Sequence, residues 1–378
     1  MKNVERSVEE VVSTDSFDSL FAFTKENDGD THLLRKETIA VNKEHDYINF
    51  KYPELITVHE NKGPIYWHYL DSHGSETLSI IKSWIQTDNI EISLLNSHDL
   101  HTELLILRYL RANLFDLVKT KSHIVRSINW RKEMNVQRIV LQQPDEILGF
   151  HVEELTKVFP HWQSGYDKTG RPVLYKQYGQ FDAGKIKKMA GGTFDRIIRY
   201  HIWQQEAIAR LCLEQSKKLH AIVETVSIVI DIKDMRLTQV NSDFITLTSI
   251  LADIDGKQYP ETLGRIFVIN SSTSFSIAWH MVKPWVVPAT SSKMKILGGP
   301  DEYIPVLYNF IGEENLPSNY GGKLPALTPQ IHPYAEFIRK HSNITTPQNE
   351  KGSNIFINKT NSSSSIDTNN NKIQVALK

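Results

Sequence analysis

Side chains that could perform covalent chemistry occur along the chain, but their spacing does not assemble a catalytic set. Asp231 ends the run "TVSIVID", and ligand-contacting residues are often found at the ends of buried parallel strands. No evident nucleophile and base stand together near it in the sequence. Six of the fifteen histidines are candidate metal ligands, but they form no clear cluster in the sequence: His101, His123, His151, His161, His201 and His220. We therefore predict a protein that is not an enzyme and needs no metal or cofactor.

The absence of known phosphate-binding and hydrolase motifs also argues against an enzyme. The sequence contains no G-x-G-x-x-G, G-x-x-x-x-G-K-[ST], H-E-x-x-H or G-x-S-x-G pattern. The glycine pairs in "AGGTF", "LGGPD" and "YGGKL" are isolated and are typical of turns. The single cysteine, Cys212, cannot form an intrachain disulfide, which fits a reducing compartment. We interpret Cys212 as a small buried apolar side chain.

Composition narrows the class of partner. The 378 residues include 43 Lys+Arg and 44 Asp+Glu, and this balance gives no reason to expect nucleic-acid binding. No stretch approaches the roughly 18 apolar residues that a membrane span needs, and the N-terminus lacks the apolar core of a signal peptide. The expectation is a cytoplasmic protein whose membrane contact, if any, is peripheral.

One segment, residues 279–299, carries more large apolar side chains than a surface loop needs. It reads "WHMVKPWVVPATSSKMKILGG", with Pro284 and Pro288 inside the apolar part. Proline removes a backbone donor and clashes with the preceding turn, so one regular helix cannot run through both prolines. Taken alone, the pattern favours a buried helix that ends at the prolines.

The surrounding patterns predict an α/β fold with a helical module before it. "HTELLILRYLRANLFDLVKTKSHIVRSINWRKEMNV" has helical periodicity in two parts, and Asp116 is a plausible N-cap for the second helix. "RPVLYKQYG", "TVSIVIDI", "GRIFVIN" and "KMKIL" are typical of strands, and long amphipathic stretches separate them. Strand–helix–strand alternation predicts a mainly parallel sheet with crossover helices.

The two ends of the chain differ from this middle part. Residues 1–95 have mixed patterns, among which "SETLSIIKSWIQ" predicts a short helix, and we treat them as an N-terminal extension of unknown role. From 326 to 378 the chain becomes rich in Asn, Ser and Thr, which predicts a disordered tail.

Five segments of the middle part, in order, resemble the CRAL-TRIO lipid-binding family in its phosphatidylinositol-transfer branch. They are "GYDKTGRPV", "VETVSIVIDIKDM", "YPETLGRIFVIN", "VKPWVVPATSSKMKILGG" and "EENLPSNYGGK". Each is weak alone, but their order and spacing together are specific. The resemblance implies a helical module at 96–150 and a lipid-binding domain at 151–325.

What the resemblance implies for function is binding and transfer of a phospholipid, phosphatidylinositol first, at membrane surfaces. The sheet would be the floor of an apolar pocket, and a gate helix would close it. With one face left open in this way, alternation along one strand would put Val226, Ile228 and Ile230 on the floor, whereas the sequence alone favours packing of both faces on helices. The gate would present apolar side chains and a proline to the membrane: Trp279, Met281, Val282, Pro284, Trp285 and Val286.

The headgroup residues that the resemblance implies are Glu261, Thr290 and Lys293. A carboxylate accepts hydrogen bonds from inositol hydroxyls, and a hydroxyl with an ammonium suits a phosphodiester. Without the resemblance, Glu261 fits a solvated turn and Lys293 fits an exposed strand end.

Two departures from the branch leave the ligand open. Asn113 and Leu114 stand where a basic pair follows "LRA" in the phosphoinositide-binding branch, so one phosphate contact is missing. Val226 and Ile228 stand where the branch that also binds phosphatidylcholine has small hydroxyls. The alternatives are therefore a carrier or sensor of another hydrophobic ligand, such as a sterol, tocopherol-like molecule or prenol, or a lipid-presenting regulatory module with a protein partner bound through residues 1–95.

Overall fold

The computed structural model of the protein describes residues 70, 72–95, 102–272 and 293–341, with two residue pairs at 58–59 and 63–64. The strands are β1 Val58–His59, β2 Gly63–Pro64, β3 His161–Tyr166, β4 Pro172–Gln177, β5 Val226–Asp231, β6 Leu263–Ile269 and β7 Met294–Ile296. The helices are α1 Ser72–Thr87, α2 Thr102–Ala112, α3 Leu117–Met134, α4 Val136–Val140, α5 Pro144–Leu148, α6 Val152–Thr156, α7 Ala183–Met189, α8 Asp195–Leu219, α9 Ser242–Gln258, α10 Pro300–Phe310 and α11 Ala335–His341.

The larger sheet has the order β3-β4-β5-β6-β7. Strands β4 to β7 are parallel to their neighbours, and only β3 runs antiparallel, against β4. The prediction of a mainly parallel α/β sheet is therefore confirmed. The antiparallel edge strand β3, "HWQSGY", was not predicted, because its sequence has no β-branched residue.

Helix α10 and the short 3₁₀ turns after it pack on one face of this sheet. Val229, Phe267 and Ile269 project from β5 and β6 into a cluster with Tyr303 and Leu307 of α10. On the other face, helix α8 packs over β4 and the start of β5, where Cys212 and Ile208 contact Leu174. The two faces are thus covered by different elements, which suits a strand such as β5 that is apolar on both sides.

The helical module is larger than the predicted range 96–150. Leu78 and Ile81 of α1 are buried in one apolar cluster with Leu107 and Leu110 of α2 and Ile124 of α3. The helix expected within "SETLSIIKSWIQ" is confirmed as α1. The boundary at residue 96 is corrected, because residues 72–95 share this core and do not form a separate extension.

The disordered tail does not begin at residue 326, as its composition predicted. Helix α11 follows that point, and Tyr334 and Phe337 pack edge-on against Trp203 of α8, with ring centroids 5.3 and 5.7 Å apart. The composition predicted disorder here because most residues of the segment are polar, but these few aromatic side chains anchor it to the core. Residues 342–378 lie outside the described residues.

No helix in the described part of the chain has both the length and the apolar character needed to cross a bilayer.

Candidate functional site

The three predicted pocket-floor residues lie on strand β5, on one face of the sheet. Ile228 and Ile230 are half-buried and belong to an apolar surface with Ile266 and Val268 of β6. Met294 and Ile296 of β7 extend this surface, which we call the β5–β7 face. Val226, the third predicted floor residue, is buried where helix α8 covers the sheet, beside Cys212 and Leu174. Ile228 also packs against this Val226 cluster, so it lies between the part of the sheet under α8 and the rest of the β5–β7 face, to which Ile230 belongs.

The alternate residues of β5 have structural roles. Ser227 donates a hydrogen bond to Asp167, with 2.7 Å between Oγ and Oδ2. Asp231 accepts hydrogen bonds from the backbone N–H of Lys233 at 2.9 Å and from the amide of Asn270 at 2.8 Å. The carboxylate that sequence reasoning weighed for catalysis therefore fixes the turn after β5.

Glu261 and Lys293, two of the three predicted headgroup residues, form an ion pair. Lys293 Nζ lies 3.4 Å from Glu261 Oε2, and the side chains are 15% and 17% exposed. Glu261 has a left-handed backbone, with φ 56°, in the turn between α9 and β6. The carbonyl of Lys293, just before β7, accepts a hydrogen bond from Ile266 at 2.9 Å. Parallel pairing of β6 with β7 thus brings together two residues that are 32 positions apart.

A buried polar network supports the turn that carries Glu261. Tyr259 donates its hydroxyl to Glu206 Oε1 at 2.9 Å, and Arg131 Nη1 donates to the same oxygen at 2.7 Å. Arg131 Nε also donates to the carbonyl of Leu94 at 2.6 Å. Burial alone would lower the pKa of Arg131, but Glu206, Tyr259 and Tyr109 together outweigh it and the pKa is raised. Helices α3 and α8 are therefore joined through charges directly behind the Tyr259-Pro260-Glu261 turn.

A cavity of about 30 Å³ lies beside this network, between helices α2 and α3 on one side and helix α8 on the other. Its walls include Arg108, Tyr109, Gln258 and Pro260. A space of this size fits one or two water molecules and is far too small for a lipid chain. A water there would supply the buried Gln258 Oε1 with a hydrogen bond that no group in the described part of the chain provides.

Arg108 and Arg111, the guanidiniums nearest to the missing basic pair, are engaged with Glu224 of "VET". Arg111 donates to Glu224 Oε1 at 2.6 Å, and Arg108 donates to the backbone carbonyl of Glu224 at 3.0 Å. Burial would raise the pKa of Glu224, but the two guanidiniums outweigh it and the pKa is lowered. These two arginines therefore hold α2 against the segment that leads into β5. We call Arg108, Arg111 and Glu224 the clamp.

The clamp predicts a pH-dependent share of stability. Because the folded pKa of Glu224 lies below its ordinary value of 4.5, its contribution is complete above about pH 4.5 and is lost as pH falls through the folded pKa. We expect the stability difference between wild type and Glu224→Gln to shrink on acidification, measured by urea unfolding at each pH. Glu154→Gln, in an exposed pair, should show little difference at any pH. A Glu224→Gln difference that stays constant down to pH 3 would contradict this account.

Asn113 stands at the first position of the missing basic pair, and its side chain makes structural contacts. Its amide nitrogen donates to the carbonyl of Tyr109 at 2.7 Å and lies 3.0 Å from Nδ1 of His123. Nε2 of His123 lies 2.6 Å from the carbonyl of Lys257, at the end of α9. Neither Asn113 nor the exposed Leu114 can supply the cation that the phosphoinositide-binding branch has here.

The remaining chemistry-bearing residues do not add to this site. Cys212 is buried, and burial raises the pKa of its thiol to about 12. Burial also lowers the pKa of His161 to about 4, which keeps it neutral. Asp145, His151 and Glu153 place one potential ligand atom each within 4.8 Å of one another. Surface groups of this kind are common without an ion, so the expectation of no metal stays a prediction.

The other predicted site residues cannot be placed. Thr290 and the six gate residues, Trp279, Met281, Val282, Pro284, Trp285 and Val286, lie in the span 273–292, outside the described residues. The described chain enters this span from β6 and leaves it at Lys293 before β7. Both ends of the span are therefore next to the β5–β7 face.

The fold and the site define an α/β domain with an apolar sheet face, and Glu261 and Lys293 form an ion pair at the N-terminal ends of β6 and β7. Comparison with known proteins agrees: the CRAL/TRIO domain model matches residues 157–322. The chain is 31% identical to the SEC14 cytosolic factor of Candida glabrata over 222 residues, which cover 58% of this chain and 70% of that protein. The chain belongs to the CRAL/TRIO family, in the Sec14-like branch of phosphatidylinositol-transfer proteins.

Other relatives are longer than this chain. It is 31% identical over 256 residues to the phosphatidylinositol/phosphatidylcholine transfer protein SFH12 of Arabidopsis thaliana. The match covers 67% of this chain and 45% of that protein, so the chain spans less than half of the relative's length. A solved structure titled "Crystal structure of Sfh5" is similar at a TM-score of 0.46 and 20% identity, covering 88% of this chain and 99% of that one.

Proposed function

We propose that the protein binds a phospholipid and transfers it between membrane surfaces from the cytoplasm, with phosphatidylinositol as the first candidate. The observation that carries the proposal is the Glu261–Lys293 pair at the corner of the apolar β5–β7 face, whose β5 and β7 side chains are half-buried. An apolar surface suits acyl chains, and a carboxylate beside an ammonium suits an inositol ring with its phosphodiester. The printed names of the relatives support the same class of ligand.

The energetics require such a surface to be covered. A diacyl phospholipid has on the order of 30 methylenes, and moving them into water at ~0.8 kcal/mol each costs more than about 20 kcal/mol. A carrier must therefore replace the bilayer around both chains. Ile228 and Ile230 would contact the chains, and the predicted gate in 273–292 would cover them. Docking, exchange of one lipid and release complete the cycle, and no covalent step is required.

Lys293 and Glu261 have distinct roles in this proposal. Without ligand they neutralise each other at 3.4 Å, which is longer than a strong charge-assisted hydrogen bond. A bound phosphodiester would compete for the ammonium, and inositol hydroxyls would donate to the carboxylate. The pair would thus exchange its internal ion pair for contacts with the headgroup.

A second candidate ligand has support from the two departures. Asn113 and Leu114 provide no cation, and Val226 and Ile228 provide no hydroxyl, so contacts to a phosphate are fewer than in the branch. A carrier of a sterol, a tocopherol-like molecule or a prenol would need none of them. A lipid-presenting regulatory module that binds a protein through residues 1–95 remains the other alternative.

The bound ligand distinguishes these candidates directly. Protein purified without detergent is extracted with organic solvent, and the extract is analysed by mass spectrometry. The proposal predicts phosphatidylinositol in near-stoichiometric amount from wild type and much less from Glu261→Gln. A sterol or prenol as the main species in both would overturn phosphatidylinositol as the ligand and favour the second candidate.

A further inference from the structure

The turn between α2 and α3 carries two apolar side chains on its outer side. We call residues 113–118 the hairpin tip. Within the described part of the chain, its Leu114 and Val118 are the most exposed large apolar residues, at 68% and 78%. Neither side chain contributes to the core of the helical module, so packing of the described residues gives no reason for their apolar character.

The backbone of the tip holds Leu114 outward. Leu114 and Phe115 are consecutive residues in the left-handed region, with φ 51° and 60°. Non-glycine residues rarely adopt this region, and two in succession persist only where packing fixes them. Phe115 supplies that packing, because its ring contacts the apolar cluster of the module and its N–H donates to the carbonyl of Leu110 at 2.8 Å. Burial of Phe115 thus turns Leu114 toward solvent.

The tip is also tied to the proposed headgroup corner. His123 bridges Asn113 of the tip and the carbonyl of Lys257, with 3.0 and 2.6 Å contacts. Burial lowers the pKa of His123, which favours the neutral ring that can accept from Asn113 and donate to Lys257. Lys257 lies four residues before Glu261, near the end of α9, so the contact of His123 ties the tip to the segment that leads into the Glu261 turn.

The charged residues around the hairpin tip indicate which kind of partner it binds. Lys119 is largely exposed, and Lys121 Nζ lies over the ring of Trp84, 5.2 Å from its centroid. Arg126 is exposed one turn further along α3, and Asp116 is the one acidic side chain in residues 113–126. Apolar side chains with a cationic rim and a nearby tryptophan suit the interface of an anionic bilayer.

We propose that the hairpin tip is a membrane-docking element that inserts Leu114 and Val118 among the lipids while Lys119 and Lys121 contact anionic headgroups. The proposal rests on the proposed function in taking a bilayer as the occupant. Docking would place the neighbouring Glu261 turn at the membrane surface. An apolar anchor would then stand where the branch has a cation.

Vesicle sedimentation of the full chain tests the tip. Leu114→Asn combined with Val118→Ser should weaken binding to phosphatidylcholine–phosphatidylserine vesicles about tenfold, since two partly inserted side chains are lost. Asparagine tolerates left-handed backbone, so the thermal midpoint should stay equal or rise. Leu141→Ser, at a similarly exposed leucine on α4, should bind like wild type. Lys119→Gln with Lys121→Gln should weaken binding to these vesicles and leave binding to pure phosphatidylcholine vesicles unchanged.

Three other outcomes would each overturn either the docking role of the tip or the proposed function. Equal vesicle binding by wild type and the Leu114→Asn, Val118→Ser variant would overturn the docking role. Unchanged vesicle binding with loss of a wild-type dimer in size-exclusion chromatography would assign the tip to a second copy of the chain and overturn it as well. Tip-dependent vesicle binding without any lipid transfer by wild type would overturn the proposed function and leave the tip's role supported.

Discussion

Replacing Glu206 by alanine is expected to lower the free energy of unfolding by about 3–5 kcal/mol. Glu206 accepts from both Arg131 and Tyr259, and the charged pair is only 5% exposed. Alanine would leave the Arg131 guanidinium buried with the Leu94 carbonyl as its described acceptor, and the hydroxyl of Tyr259 would lose its bond. Urea unfolding at neutral pH measures the loss.

Two further variants separate this effect from general loss of charge. Glu154→Ala removes an exposed ion pair and should cost less than about 1 kcal/mol. Arg131→Met in the Glu206→Leu background removes both charges and should recover much of the stability. A loss below 1 kcal/mol for Glu206→Ala would show that the network does not hold the helical module to the domain.

The second large effect concerns the headgroup corner. Lys293→Ala is expected to reduce phosphatidylinositol transfer by about tenfold or more, because a hydrogen bond to a charged group is worth ~1.5–3 kcal/mol. Transfer or binding of an apolar ligand should be nearly unchanged, since such a molecule offers the ammonium no anionic group. The measurement is initial-rate transfer of labelled lipid between vesicles, at equal protein concentration.

Lys295 offers a matched control for this prediction. It lies two residues further along, in β7, with Nζ 4.8 Å from the ring centroid of Phe310. Lys295→Ala removes a like charge from the strand that follows Lys293 and should leave transfer close to the wild-type rate. Equal loss in both variants would indicate general attraction of the vesicle, and equal loss for all ligands in Lys293→Ala would indicate a folding defect.

Local patterns predicted most of the elements that position the site. The β-branched run "TVSIVIDI" became β5, "GRIFVIN" became β6, and the helix predicted after Asp116 begins at Leu117. The predicted N-cap is confirmed, because Asp116 Oδ1 accepts from the backbone of Lys119 at 2.9 Å. These features depend on neighbours in sequence, which is why the sequence alone was sufficient.

Local sequence patterns could not predict the long-range ion pairs. Nothing local to Arg131 indicates that it meets Glu206, which is 75 residues away, and nothing near Arg108 indicates Glu224. Burial of an ionised side chain depends on its partner, and the partner is set by how α2, α3 and α8 pack. The resemblance assigned Glu261 and Lys293 to one headgroup site, but their ion pair with each other was not predicted, because it depends on the pairing of β6 with β7.

The most direct test of the central claim is transfer of labelled phosphatidylinositol from donor to acceptor vesicles by the purified chain. The account predicts transfer that rises in proportion to protein concentration, with a rate that falls in Lys293→Ala and stays in Lys295→Ala. If the wild-type chain moves neither phosphatidylinositol nor any other lipid, and carries none when purified, the proposed function is wrong.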